Sequence, residues 1–230
     1  MPGGIEPAAL RQSRVLGRLP SSELEQLATL LRRRAYRRGE VVFHQGDPGD
    51  TLHLVLSGRV KVVVAAESGE EVVLFVLGPN ELFGEIALLD SGPRTATVVA
   101  LEPLETAILR REDFLSLLRR SPAALEGVLA ALAASLRRTT DEIADFVGLD
   151  LHGRLAKKLL GLAEEYGRPV GETVEIDLSL TQEELAAMVG ATRASVNKLL
   201  GIYEDRGAIA RRGRHIAILR PGVLEAAARF

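Results

Sequence analysis

The chain contains no cysteine. That removes disulfides, iron–sulfur clusters and thiolate metal sites together, and it fits a reducing compartment. Histidine is scarce as well: His44, His53, His152 and His215 are the only four, and no two share a metal-ligand spacing, so no resident metal is expected. Long apolar runs are missing. "VVLFVL", Val72 to Leu77, is typical of the longest, far below the roughly 18 residues that a membrane span needs. No membrane partner is therefore expected. The segment "MPGGIEPAALRQSRVLGRL" lacks the basic-then-apolar pattern of an export signal, so a cytoplasmic location is expected. No Ser/His/Asp set, Walker loop, HExxH or dinucleotide fingerprint occurs, which argues against an enzyme.

What is present is a chain of 230 residues with 47% hydrophobic and 26% charged residues, enough for one large domain or two ordinary ones. The net charge of −2 is unevenly spread: residues 181–230 carry eight Lys/Arg against five Asp/Glu, +3, which leaves −5 for the rest. An acidic body with a basic end suggests two domains, one of them near nucleic acid.

The first thirteen residues read as poorly ordered. "LPSSELEQLATLL" starts a helix with a Ser as N-cap and Leu24, Leu27, Leu30 and Leu31 at helical spacing. From Val41 to about Leu109 the pattern is short β-rich runs ("VVF", "TLHLVL", "RVKVVVA", "VVLFVL", "TATVVAL", "ETAIL") separated by turn signals such as "QGDPGD", "ESGEE" and "GPNE". Such punctuation argues for a β-barrel or sandwich over a parallel sheet.

"SPAALEGVLAALAASLRRTTDEIADFVG" reads as one long helix, with Pro122 in its first turn. Leu125, Leu129, Leu132, Leu136, Thr139, Ile143 and Phe146 recur at alternating steps of four and three. That is a heptad seam of two zipped helices, or else the face a helix turns to its own barrel. Gly148 ends it, and Asp150 suits the N-cap of the next helix, so residues 148–150 form a boundary. "GRPVGETVEIDLSL" then reads as a loop.

"TQEELAAMVGATRASVNKLL", Thr181 to Leu200, has helix-turn-helix spacing. Thr181 and Glu184 make a capping box, Gly190 sits in the turn, and Thr192 caps the second helix. Val196 and Leu199 pack that helix back, which leaves Arg193, Ala194, Ser195, Asn197 and Lys198 outward. These are short or cationic, as a helix in a major groove requires. "GAIARRGRHIAIL" reads as two short strands around "RRGR", a wing that can lie along phosphates. A plain αα-hairpin is the bland alternative.

"FGEIALLDSGPRTATV", residues 83–98, places Glu85 and Arg94 around a tight turn. They are either a structural ion pair or the two ends of a site for a ligand with both a hydroxyl and a phosphate. A short helix beginning at Gly84 would offer free N–H groups to the anion.

This order of β-rich domain, "FGEIALLDSGPRTATV", seam helix, "LTQEELAAMVGATRASVNKLL" and wing resembles the CRP/FNR family of bacterial transcription regulators. Within that family it is most similar to cyclic-AMP receptor proteins. The resemblance spans about Leu16 to Leu219. It implies an α+β architecture: an N-terminal cyclic-nucleotide-binding β-barrel (jelly roll, 14–121), a dimerisation helix (122–148), and a C-terminal winged helix-turn-helix DNA-binding domain (149–230). It implies cyclic AMP as allosteric effector, held by Gly84, Glu85, Ile86, Arg94 and Thr95, with Thr139 and Thr140 at the base, one of them from the partner subunit. Glu85 would accept from the ribose 2′-OH and help orient Arg94. DNA would meet Thr181, Gln182, Thr192, Arg193, Ser195, Asn197, Lys198, Arg212 and Arg214, with Gly148, Leu149 and Asp150 as hinge. Gly46 and Gly58 look like barrel-turn glycines. The implied partners are double-stranded DNA, a second copy of the chain and RNA polymerase, whose contact would fall near Glu164 to Thr173. The missing Cys excludes the iron–sulfur branch. No haem is expected either, because no His accompanies the cassette, His44 and His53 lying elsewhere in the barrel. One departure stands out: Ala194 replaces the Glu that would accept from a cytosine, so the half-site should differ from, or be looser than, the family's usual TGTGA.

Overall fold

The computed structural model describes residues 5–65 and 71–229. The "ESGEE" turn falls largely outside them, as do the first four of the thirteen N-terminal residues. The chain divides into two compact units. The first holds residues up to 65 and 73–138, and the second is built on 139–229.

The first unit opens with α1 (Pro7–Leu10), a single 3₁₀ turn (Leu16–Arg18) and α2 (Ser21–Leu30). Strands β1 (Arg32–Tyr36), β2 (Val41–Phe43), β3 (Thr51–Ser57), β4 (Val60–Ala65), β5 (Glu71–Leu77) and β6 (Leu82–Phe83) follow, then α3 (Glu85–Asp90), β7 (Thr97–Ala100), β8 (Leu104–Arg110) and α4 (Arg111–Arg120). Two four-stranded sheets form, ordered β1-β8-β3-β6 and β2-β7-β4-β5. Between them pack Tyr36, Val55, Phe83 and Leu104 from one sheet and Val60, Leu77, Val98 and Ala100 from the other. This is the expected jelly roll.

Strand β3 shows how the period-2 rule builds two cores. Val55 faces the opposite sheet, while Leu52 and Leu54 face outward into a second cluster with Leu10, Leu16, Leu24, Leu27, Phe114 and Val128. That second cluster corrects the N-terminal expectation. Ile5, Leu10, Val15 and Leu16 are buried there, so residues 5–13 are packed and not disordered. Their order comes from tertiary burial that no local periodicity announces. Ser21 is the first residue of α2, not its cap. Pro20 holds the cap position, with no side-chain capping bond. The "RRRAY" strand, β1, went unread because it is a polar edge: its arginines are exposed and only Tyr36 is buried.

Helix α5 (Pro122–Gly148) runs unbroken as expected. It packs on its own domain through Ala124 and Val128. The heptad residues Leu125, Leu129, Leu136, Ile143 and Phe146 are instead exposed in the single chain, and Leu132 is half-buried.

The second unit continues with α6 (Leu151–Tyr166), β9 (Gly167–Val170), β10 (Thr173–Ile176), α7 (Gln182–Val189), α8 (Arg193–Asp205), β11 (Ile209–Arg212), β12 (His215–Ile218) and α9 (Pro221–Ala227). Its sheet order is β11-β12-β10-β9. "GRPVGETVEI" is therefore a hairpin, not a loop. Pro169 is tolerated because β9 is an edge strand.

Candidate ligand pocket and nucleic-acid interface

Strand β6 lies antiparallel to β3 with His53 opposite Phe83. That register sets the chain entering α3 beside the start of β3. Gly84 caps α3 at φ 85°. Arg94 reaches into the angle between them and is only 3% exposed. Its Nη1 donates to Gly84 O at 2.9 Å, and Nη2 donates to Thr51 O at 2.8 Å and Thr51 Oγ1 at 2.9 Å. Its guanidinium carbon lies 4.0 Å from the Phe43 ring centroid.

The cradle is made of glycine. A Cβ on Gly84 would stand 2.6 Å from Arg94 Nη1, and one on Gly49 would stand 2.3 Å from Ala87 Cβ. Arg94 Nε is buried with no hydrogen-bond partner. Burial pushes the guanidinium down from its ordinary pKa, against the pull of Asp50, Asp47 and Glu85. An anion is what this donor set fits.

Glu85 corrects one expectation. Among the described residues no hydrogen bond or ion pair joins it to Arg94; the two are coupled only through their charges, and Glu85 does not hold the arginine in place. Thr51 and the Gly84 carbonyl do that, because the β3–β6 register brings them closer. Burial raises the Glu85 carboxyl above the usual carboxylate range, opposed by its own backbone amide, Arg94 and Arg138. Ile86 and Thr95 flank the site and are exposed.

Sequence reasoning missed Phe43, Gly49, Thr51, His53 and Arg138. Arg138 stands 3.9 Å from Glu81 and 5.2 Å from the Phe75 ring centroid. His53 also corrects an expectation, since a histidine does accompany the cassette. Its ring nitrogens are within hydrogen-bond reach of Thr51 and Thr106, whereas His44 is exposed. Thr139 and Thr140 lie on the part of α5 that belongs to the second unit.

In that second unit the local signals match the structure closely. Asp150 accepts from Gly153 N at 2.8 Å and starts α6, so the break after Gly148 falls at Leu149. Thr181 and Glu184 form the capping box, Gly190 takes φ 61°, and Thr192 accepts from Ser195 N. Val196 and Leu200 are buried, with Leu199 only half-buried. Arg193, Ala194, Asn197 and Lys198 are exposed, and Ser195 is half-buried.

Several of these groups are linked to one another. Arg193 Nη1 pairs with Glu183 at 2.9 Å, and Gln182 and Arg211 both donate to Asn197 Oδ1. Such exposed contacts contribute little to stability. Arg211 is further committed to Glu204, whose carboxyl it holds below the usual range. Arg212 and Arg214, at the wing tip, are exposed.

Phe146 has an unforeseen neighbour. A Cβ on Gly190 would come within 2.5 Å of its ring, and Arg154 lies 4.4 Å over that ring. Arg154 also donates to Leu149 O and Val189 O. The end of α5, the break and the helix-turn-helix turn are thus one packed cluster. Gly190→Ala is expected to destabilise this unit by about 1–2 kcal/mol from the left-handed backbone alone, and by more where Phe146 cannot yield. Adding Phe146→Ala should recover the second part only. Urea unfolding of both variants checks this, and a wild-type midpoint for Gly190→Ala would contradict it.

Comparison with known proteins places both regions. Residues 33–121 match the family model of the cyclic nucleotide-binding domain, and residues 153–227 match the Crp-like helix-turn-helix domain. Over 183 residues the chain is 38% identical to a CRP-like cAMP-activated global transcriptional regulator of Mycobacterium tuberculosis, covering 80% of this chain and 82% of that one. It is 36% identical over 191 residues to a cyclic AMP receptor protein of Thermus thermophilus, covering 83% and 85%. Among solved structures, the c-di-GMP responsive global regulator CLP of Xanthomonas campestris superposes with a TM-score of 0.77 at 26% identity, covering 86% of this chain and 99% of that one.

Proposed function

Because the chain belongs to the CRP/FNR family, a family of DNA-binding transcription regulators and not of enzymes, we propose that it binds cyclic AMP at Arg94 and, as a homodimer, reads two-fold DNA sites in response. The observation that carries the first part is Arg94 itself. A buried cation is costly unless an anion or full hydrogen bonding compensates it. Three of its contacts are neutral oxygens and its Nε has no partner. A cyclic phosphate supplies both the charge and the missing acceptor. Thr95 adds a hydroxyl, Glu85 accepts from the ribose, Ile86 flanks it, and Thr139 and Thr140 meet the base across the dimer seam.

The work is divided by region: residues 14–121 hold the ligand, 122–148 the seam and 149–230 the DNA. Gly148, Leu149 and Asp150 form the hinge. Ligand binding favours the seam packing that sets the two α8 helices about 34 Å apart, one per successive major groove. It does so only by its differential affinity for the two states. Thr181, Gln182, Thr192, Arg193, Ser195, Asn197 and Lys198 meet the groove and its phosphates, and Arg212 and Arg214 lie along the backbone. RNA polymerase is the further partner that the family resemblance supplies.

A second reading keeps the fold and the DNA function but changes the effector or dispenses with it. The c-di-GMP response of CLP, a fold neighbour, favours that alternative. A structural Glu85–Arg94 pair does not support it, because the two side chains do not bond. Calorimetry with cyclic AMP and with cyclic di-GMP separates the readings, together with selection of sites from random DNA with and without each nucleotide. Cyclic AMP is expected to bind and to tighten a palindromic site. No heat with cyclic AMP at millimolar concentration and equal DNA affinity in all arms would give the ligand-independent reading. Failure to enrich any two-fold site would reject the dimeric groove reader.

A further inference from the structure

His53 lies two residues after Thr51 on β3, so both side chains share one face of the strand. It is 4% exposed. Its ring stacks on Phe83, with centroids 4.9 Å apart and planes 15° apart, and it packs at a tilt 5.8 Å from Phe43, the ring that also carries the Arg94 guanidinium. His53 Nε2 is 3.3 Å from Thr51 Oγ1, and Nδ1 is 3.4 Å from Thr106 Oγ1. Thr51 Oγ1 accepts from Arg94 Nη2. A polar row therefore runs from buried Arg94 through half-buried Thr51 and buried His53 to Thr106.

Counting protons at Thr51 selects one tautomer. Thr51 Oγ1 already receives a proton from Arg94. Were the imidazole to donate to it too, the half-buried Thr51 hydroxyl would have no acceptor for its proton among the described residues. If His53 Nε2 accepts that proton instead, the Thr51 hydrogen is used, and Nδ1–H is left to donate to Thr106 Oγ1.

We propose that His53 is a positioning residue for the anion-binding arginine: as the neutral Nδ1–H ring it accepts from Thr51, turns that hydroxyl's lone pair toward Arg94, and so fixes the guanidinium for phosphate. This rests on the reading of Arg94 as the phosphate partner. The charged groups that act on the ring, Arg94 and Arg34, are both cations, and with burial as the larger cause they lower its pKa to about 3. An imidazolium would lose the acceptor and set a like charge behind Arg94.

Nitrogen-15 NMR of the full-length, unliganded protein is expected to show His53 as the neutral Nδ1–H tautomer from about pH 8 to about pH 5, where an ordinary histidine titrates. An Nε2–H ring, or a midpoint within that range, would overturn the proposal whether or not any nucleotide binds. His53→Phe keeps the stack and removes both nitrogens. Its dissociation constant for cyclic AMP should rise about tenfold, the net worth of one hydrogen bond. Thr51→Val should match it, and the double variant should be no weaker than either. His53→Gln, with a carbonyl for Thr51 and an amide for Thr106, should recover most of the affinity. Wild-type binding by His53→Phe, additive losses, or no rescue by Gln would each count against the relay. Absence of cyclic AMP binding by the wild type would sink the phosphate reading instead, and leave the NMR result to decide the tautomer.

Discussion

Arg94→Ala is expected to weaken cyclic AMP binding by about 2–4 kcal/mol, roughly 30- to 900-fold, the size of losing one partner of a buried charge-assisted pair. The residue is 3% exposed, anchored through Thr51 and Gly84 and stacked on Phe43, so it arrives oriented and little entropy is lost on binding. Arg94→Lys should fall between wild type and alanine. A lysine keeps the charge but cannot bond Gly84 O, Thr51 and a phosphate from one planar fork. Calorimetry on all three proteins measures this, with melting curves alongside to separate a lost ligand contact from a loosened cradle. Unchanged affinity in Arg94→Ala would make the arginine purely structural and place the ligand elsewhere.

Leu136→Asp and Ile143→Asp are each expected to convert a dimer into monomers. In the single chain these side chains are 68% and 61% exposed, so neither supports the fold of its own unit, and a charge there leaves each core intact. In a two-fold seam each residue meets its own copy's stripe, so one substitution removes two apolar anchors and buries two unpaired charges. The apolar part alone is about 4 kcal/mol, near a thousandfold in the dissociation constant. Light scattering at micromolar concentration is the check, with circular dichroism to confirm that the variants are folded. A monomeric wild type would remove the seam, and with it the two-fold DNA reading.

The long helix and the helix-turn-helix were legible because their signals are local. Thr181 with Glu184, Thr192 with Ser195 and Asp150 with Gly153 are bonds across three residues, and the heptad stripe repeats within one helix. The strand pattern from Val41 to Leu109 was legible too, apart from the two-residue β6, whereas β1, which precedes it, was hidden under three arginines. The N-terminal packing and the β9–β10 hairpin were not legible. Their order depends on what they cover or pair with, and "GRPV" carries only turn signals.

The sequence by itself determined the family, the two-part plan, and the caps and turn of the helix-turn-helix, and it singled out Arg94 and Glu85 as the charged residues around one tight turn. Only the tertiary structure decided what holds Arg94. Thr51 is 43 positions away in the chain, and its approach follows from the β3–β6 register, which no local spacing encodes. The same holds for His53 behind that pair. It also holds for Phe146, which its heptad position assigned to the seam and which the fold also sets against Gly190. Capping and periodicity act over one or two turns and are written in neighbouring residues. A buried cation's partners are chosen by packing and strand register, which join distant parts of the chain only once the fold exists.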